Sequence, residues 1–352
     1  MRMLWSFAMP RFRPHLQAIP PYSSAREEFS GTARLYLDAN ENPYAKAWEP
    51  TAYRYPDPYH TALREAIAAH WGISPAEVAC GAGSDELIDW ILRAVAEPSQ
   101  DTLLTVTPSY GVYTTYARIH GLGVREVRLE PDFSLPTASL LAAAGPDTPL
   151  AILCRPNNPT GTLWPAEAIE AFVQRFEGWV VLDEAYIEFS SEPRGWLDRR
   201  TPQFILLRTF SKAWGMAGWR VGYMIANPEV VSLYYRTKLP YNLSQPAQAR
   251  ALSVLKRWPL VEQSIRRLQA ERARLVEALA ALPGVQVFPS EANFLLVRVP
   301  NALAVYRRLL DQGIVVRYRG NLPLCENTLR ITLGRPEENN TLLEALCRII
   351  SS

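Results

Sequence analysis

From Glu77 to about Ala226, short apolar runs alternate with segments of helical period. The runs are EVAC, TLLTV, LAILC, WVVLDEA, FILLRTF and VGYMIA, and the helical segments include DELIDWILRAVA, GVYTTYARIH and PAEAIEAFVQRF. Continuous apolar runs without a polar face suit strands buried on both sides, and helices between them suit parallel crossovers. The pattern therefore predicts an α/β fold with a mainly parallel central sheet flanked by helices. Near Ser244 it changes to long helices rich in Arg and Glu, through SQPAQARALSVLKRWPLVEQSIRRLQAERARLVEALAAL. Beyond them VQVFPSEANFLLVRV, ALAVYRRLLDQG, IVVRYRG, TLRITLG and PEENNTLLEALCRII read as a smaller α+β unit. The expected organisation is an N-terminal arm over 1–45 packing near the active site and the small domain, a large domain over 46–250 and a small domain over 251–352.

Composition narrows the function. Of 352 residues, 48% are hydrophobic and 20% charged, and the formal net charge is +2. That is the balance of a folded globular chain without a basic block for nucleic acid or anionic membrane. Cys80, Cys154, Cys325 and Cys347 form no C-x-x-C pair, and His15, His60, His70 and His120 fall in no ligand spacing, so no metal site is expected. The opening MRMLWSFAMPRFRPHLQAIPPY holds an apolar patch that Pro10 and Arg11 interrupt, and it reads as the start of a cytoplasmic arm.

In a parallel sheet, ligands sit outside the carboxyl ends of the strands, so the residues just after each run carry the candidate chemistry. GAGSDELI places Ser84 and Asp85 at a helix start suited to a phosphate, although Glu86 stands where a dinucleotide fingerprint has glycine. TPSYGVY places Tyr110 at a strand-to-helix turn, and RPNNPTG presents Asn157 and Asn158. WVVLDEAYI ends on Asp183, Glu184 and Tyr186, where a carboxylate on so apolar a strand needs a cationic partner. RTFSKAWGMAGWRVGY supplies Thr209, Ser211, Lys212 and Arg220. A lysine able to form an imine, an acid for a ring nitrogen, a phosphate cradle and an aromatic face are together what pyridoxal 5′-phosphate asks of a protein. Lys212 would hold the cofactor, Asp183 would keep the pyridine nitrogen protonated, Asn158 and Tyr186 would bond the ring oxygen, and Tyr110 would stack on the ring. Arg220, Thr209, Ser211 and the Ser84-Asp85 helix start would surround the phosphate.

These motifs, with PYSSAREEFSG, LDANENPY, RYPDP, PYNLSQPAQA, SEANFLLVRV, GIVVRYRG and LCENTLRITLGRPEEN in order, resemble the fold-type I pyridoxal-phosphate aminotransferases, and among them the histidinol-phosphate aminotransferases. The resemblance spans nearly the whole chain. It implies reversible amino transfer from L-histidinol phosphate to 2-oxoglutarate in histidine biosynthesis, by a cytoplasmic homodimer. It also implies that Lys212 moves the Cα proton, that Tyr55 reaches the neighbouring subunit's cofactor phosphate, and that Arg317 and Arg330 bind the substrate anion. Tyr22 would close over that anion as a lid, with Asn40 nearby. Tyr318 and Tyr53 depart from the family pattern, and Tyr318 would alter the pocket rim. Rival readings are an aromatic aminotransferase or phosphothreonine decarboxylase of the same fold, a cofactor-binding regulatory module, and a nicotinamide oxidoreductase resting only on GAGSDE.

Overall fold

The computed structural model describes residues 9–20, 34–35 and 37–351. Its large sheet comprises β1 (Val78–Gly81), β2 (Thr102–Thr107), β3 (Gly123–Arg128), β4 (Leu150–Cys154), β5 (Trp179–Asp183), β6 (Phe204–Thr209) and β7 (Gly222–Ala226). They lie in the order β1-β7-β6-β5-β4-β2-β3. β7 runs antiparallel to both of its neighbours, while the other pairings are parallel. A second sheet holds β8 (Gln286–Val287), β9 (Phe294–Arg298), β10 (Arg317–Tyr318) and β11 (Thr328–Thr332) in the order β10-β11-β9-β8.

The described helices begin with α1 (Pro14–Gln17), α2 (Thr61–Trp71), α3 (Ser84–Val95), α4 (Val112–Ile119), α5 (Thr137–Ala143) and α6 (Ala166–Val173). They continue with α7 (Pro228–Thr237), α8 (Gln245–Leu255), α9 (Trp258–Ala280), α10 (Ala302–Asp311) and α11 (Pro336–Ile350). None is long and apolar enough to cross a membrane.

The apolar runs became strands because β1, β4, β5, β6 and β7 are buried at every position. β3 was missed by the apolar pattern. It is the sheet edge, half exposed, and its sequence GVREVR carries three charges that one solvated side tolerates. IVVRYRG contributes only two ladder residues, Arg317 and Tyr318.

Two corrections concern the chain's organisation. Residues 9–20 of the arm lie at the pole of the large sheet opposite the strands' carboxyl ends, not beside the small sheet. Phe12 packs on Trp179 with ring centroids 4.8 Å apart, Trp179 Nε1 donates to the Arg11 carbonyl at 3.0 Å, and the Arg13 amide donates to the Ala94 carbonyl at 3.0 Å. The cause is local: a buried indole at the start of β5 needs an acceptor, and the arm supplies it. The change of core also falls later than residue 250. Leu243, Ala247, Val254, Val261 and Ile265 belong to the cluster around the large sheet, while Leu275 and Leu279 belong to the cluster around the small one. Leu268 touches both clusters, so one uninterrupted helix, α9, passes from core to core.

At the end of β5, side-chain alternation sends the neighbours Asp183 and Glu184 to opposite faces. Glu184 meets Arg208 of β6 in an ion pair of 2.8 Å in which both side chains are fully buried. Arg208 also donates to the Arg194 carbonyl at 2.7 Å and lies over the Trp71 ring, and Glu184 accepts from the Trp196 amide at 2.6 Å. Removing one member strands the other charge in the core. Arg208→Met is therefore expected to destabilise the protein by about 3–5 kcal/mol, read as a lower urea midpoint at unchanged m-value. A loss under about 1 kcal/mol would show that this pair does not tie β5 to β6.

Candidate active site

β6 and β7 are antiparallel neighbours, so the chain between them folds back at the carboxyl end of β6 and carries Lys212 and Arg220 there. Arg220 adopts a left-handed backbone with φ 52°, uncommon for a residue with a side chain. Its guanidinium meets Asp85 Oδ2 at 3.1 Å and Ser211 Oγ at 3.4 Å. Ser211 is in turn set by Thr209, whose Oγ1 lies 3.0 Å from Ser211 Oγ and accepts from the Ser211 amide at 3.0 Å. Two glycines make this approach possible. A Cβ on Gly83, at φ 80°, would lie 2.5 Å from Arg220 Nη2, and a Cβ on Gly222 would strike the Gly83–Ser84 backbone. Gly83 gives α3 no side-chain cap, so the first-turn amides of that helix remain available beside Arg220.

From β4 the chain enters RPNNPTG, and the two asparagines divide the work. Asn157 is structural: it donates to the Pro108 carbonyl and to Thr160 Oγ1, each at 3.0 Å, and accepts from Ser109 at 2.9 Å. Asn158 lines the cavity, with Nδ2 3.5 Å from Tyr186 Oη and Oδ1 accepting from Arg330 Nη1 at 2.5 Å. On β5, Asp183 is 2% exposed and has no ion pair among the described residues. It accepts from Tyr113 Oη at 2.7 Å and from the Ala185 amide at 3.1 Å. Burial pushes its carboxyl up to about 6, against the opposing pull of those two donors. Burial lowers Lys212, with Arg330 adding to the effect and Asp183 and Asp85 opposing it. Its Nζ lies 5.6 Å from the Tyr186 ring centroid. Burial raises both Tyr186 and Tyr110.

One cavity of about 370 Å³ gathers Ser84, Asp85, Tyr110, Asn158, Asp183, Tyr186, Thr209, Ser211, Lys212, Arg220, Arg317 and Arg330. Of the expected site, Tyr55 and Asn40 are not brought there. Tyr55 is 52% exposed and stacked on Tyr241 at 4.5 Å, in a groove that Asn40, Arg54 and Gln245 also line. Tyr22 lies outside the described residues. Tyr318 does not alter the rim: it sits near Tyr306 of α10, since alternation turns it away from its neighbours Arg317 and Arg319. Tyr53 supports Arg54, which pairs with Glu41 at 2.7 Å.

The strand-end reading missed Tyr113, Cys154, Ala185 and Arg319. Tyr113 lies one turn after Tyr110, with ring centroids 5.5 Å apart, and Arg319 lies two after Arg317 along an extended chain, so spacing could have found both.

The family model for aminotransferases of class I and II matches residues 37–346. The chain belongs to that family. Among aminotransferase relatives, the histidinol-phosphate aminotransferase of Parabacteroides distasonis is 42% identical over 337 residues, covering 95% of this chain and 96% of its own. That of Bacteroides fragilis is 42% identical over 338 residues, with 95% and 96% covered. The crystal structure of histidinol-phosphate aminotransferase from Sinorhizobium meliloti in complex with pyridoxal-5′-phosphate superposes with a TM-score of 0.80 at 30% identity, covering 98% of each chain.

The raised Asp183 carboxyl of this aminotransferase has a sign that can be tested. Between its ordinary value of 3.8 and about 6, the folded chain keeps a proton that the unfolded chain has released. Stability of the cofactor-free protein should therefore fall as pH rises through that window, by on the order of 3 kcal/mol from this group. Asp183→Asn removes the loss, so its stability relative to the parent should grow between about pH 4 and 6 and then level off. Urea unfolding of both proteins across this range checks it, and a pH-independent difference would contradict the assignment.

Proposed function

We propose that this chain is a pyridoxal 5′-phosphate-dependent aminotransferase interconverting L-histidinol phosphate and 2-oxoglutarate with imidazole acetol phosphate and L-glutamate. The observation that carries the reading is the charge arrangement of one cavity. A buried carboxylate without an ion pair among the described residues, a lysine and two anion-binding arrangements share its walls. Among the described residues Asp183 forms no ion pair, and a protonated pyridine nitrogen would supply one. The start of α3, Arg220, Ser211 and Thr209 form a donor set suited to a phosphate, in a space that a Cβ at Gly83 would fill. Arg330 lines the same cavity, and among the described residues its side chain has no carboxylate partner, so its charge is left for an anion. The residues present fit the cofactor and the substrate anion.

When bound, pyridoxal phosphate supplies a ring that takes up the electrons left behind as the substrate's Cα–H bond breaks. Asp183 would hold the proton on the ring nitrogen. Tyr186 and Asn158 would fix the ring oxygen, and Tyr110 would lie against the ring face. Lys212 would hold the cofactor, and its amine when free would take up the proton from the substrate's Cα and release it to another carbon. Its lowered pKa favours that neutral, basic form. Arg317 and Arg330 would bind the phosphate of histidinol phosphate or the α-carboxylate of glutamate, since guanidinium forks suit both.

The same reading makes the protein a cytoplasmic homodimer in which Tyr55, exposed and outside the cavity of its own chain, would reach the partner's cofactor phosphate, with Asn40 and Tyr22 expected on the substrate side.

Single-turnover absorbance measurements should give rapid conversion with histidinol phosphate and slow conversion with phenylalanine or phosphothreonine. Preference for either of the latter would overturn the substrate assignment. Lys212→Ala should abolish turnover, and borohydride should no longer fix cofactor to the chain. Mixing Lys212→Ala with Tyr55→Ala subunits should restore one competent site per heterodimer, whereas no recovery would refute the shared site.

A further inference from the structure

We propose that Arg319 acts with Arg317 and Arg330 to make this pocket select a doubly charged phosphate monoester over a carboxylate at the same subsite. The inference rests on the aminotransferase reading above and concerns how the two amino donors are told apart.

Arg317 of β10 lies directly opposite Arg330 of β11. Like charges in that position repel, so an antiparallel pair does not place them there without compensation. The Arg319 amide donates to the Thr328 carbonyl at 3.0 Å, which extends the ladder by one step. Alternation then puts Arg319 on the same face as Arg317. All three guanidinium groups line the cavity that holds Lys212. Among the described residues, the buried Nε atoms of Arg319 and Arg330 have no acceptor.

Among the described residues, the groups whose charges act on Arg319 are Arg330, Arg317, Cys325 and Tyr186, none of them a carboxylate. Burial and the two like charges bring Arg319 down to about 10, far below an ordinary guanidinium. Among the described residues, no carboxylate pairs with these three crowded cations. Arg330 already spends Nη1 on Asn158. A carboxylate brings one charge and two oxygens, enough for two forks. A phosphate monoester brings three terminal oxygens and about −1.5 to −2 charge at neutral pH, enough for all three. The third arginine is therefore surplus to glutamate's α-carboxylate and matched to a phosphate.

The test uses the holoenzyme as parent, Arg319→Gln and Arg319→Lys. Single-turnover kcat/KM is measured with histidinol phosphate and with glutamate, and calorimetry measures binding of inorganic phosphate. Arg319→Gln should lose roughly 10- to 100-fold with histidinol phosphate, and phosphate affinity should fall by a similar factor. Glutamate should change less than about threefold, which also shows that the variant is folded. Arg319→Lys should recover part of the loss, because it restores charge without the fork. Equal losses for both donors would overturn the inference, as would a selective loss of glutamate, which would assign Arg319 to the second carboxylate. A parent that uses glutamate but not histidinol phosphate would instead overturn the substrate reading itself, and this inference with it.

Discussion

Two carboxylates in sequence at the end of one buried strand set the terms for the rest of the molecule. Alternation along β5 separates Asp183 from Glu184, and each must be neutralised in a core that excludes water. Glu184 is neutralised within the fold by Arg208 from the next strand, with the Trp196 amide and the Trp71 ring enclosing the pair. Among the described residues Asp183 receives two hydrogen bonds, and it keeps a raised carboxyl. One acid thus closes the scaffold, and its neighbour leaves a demand for positive charge at the cavity wall.

The reversal of β7 answers the question of how a lysine and an arginine reach that wall together. Because β7 returns antiparallel beside β6, the connecting segment lies at the carboxyl end of the sheet and holds both Lys212 and Arg220 over the start of α3. Gly83 and Gly222 permit the approach, since a side chain at either would collide with the cradle. The small sheet contributes the opposite partner, a set of arginines facing the same cavity without carboxylates of their own. The site is therefore built from unbalanced charges on two sheets, and the cavity is where ligands with complementary charge would relieve both.

Much of this was legible in the residues. The five strands buried throughout could be read from their apolar runs, because a strand enclosed on both faces leaves no polar position to confuse the pattern. Lys212, Asp183, Tyr186 and Arg220 were legible from their places at or just beyond strand ends, since a parallel sheet gathers those ends. The half-exposed edge β3 escaped for the converse reason, its charges being compatible with one open side.

Sequence by itself determined the class of fold, the strand ends and the types of chemical group available there, because each depends on local pattern and on the general geometry of parallel sheets. Only the tertiary structure decided which of two adjacent asparagines lines the cavity, which of two adjacent acids keeps no cation, and that Tyr113 and Arg319 stand beside residues recognised without them. It also sent residues 9–20 to the far pole and carried the change of core into α9. These outcomes depend on which buried group meets which partner across long separations in the chain, and a hydrogen bond or ion pair of that kind leaves no periodic trace in the residues that make it.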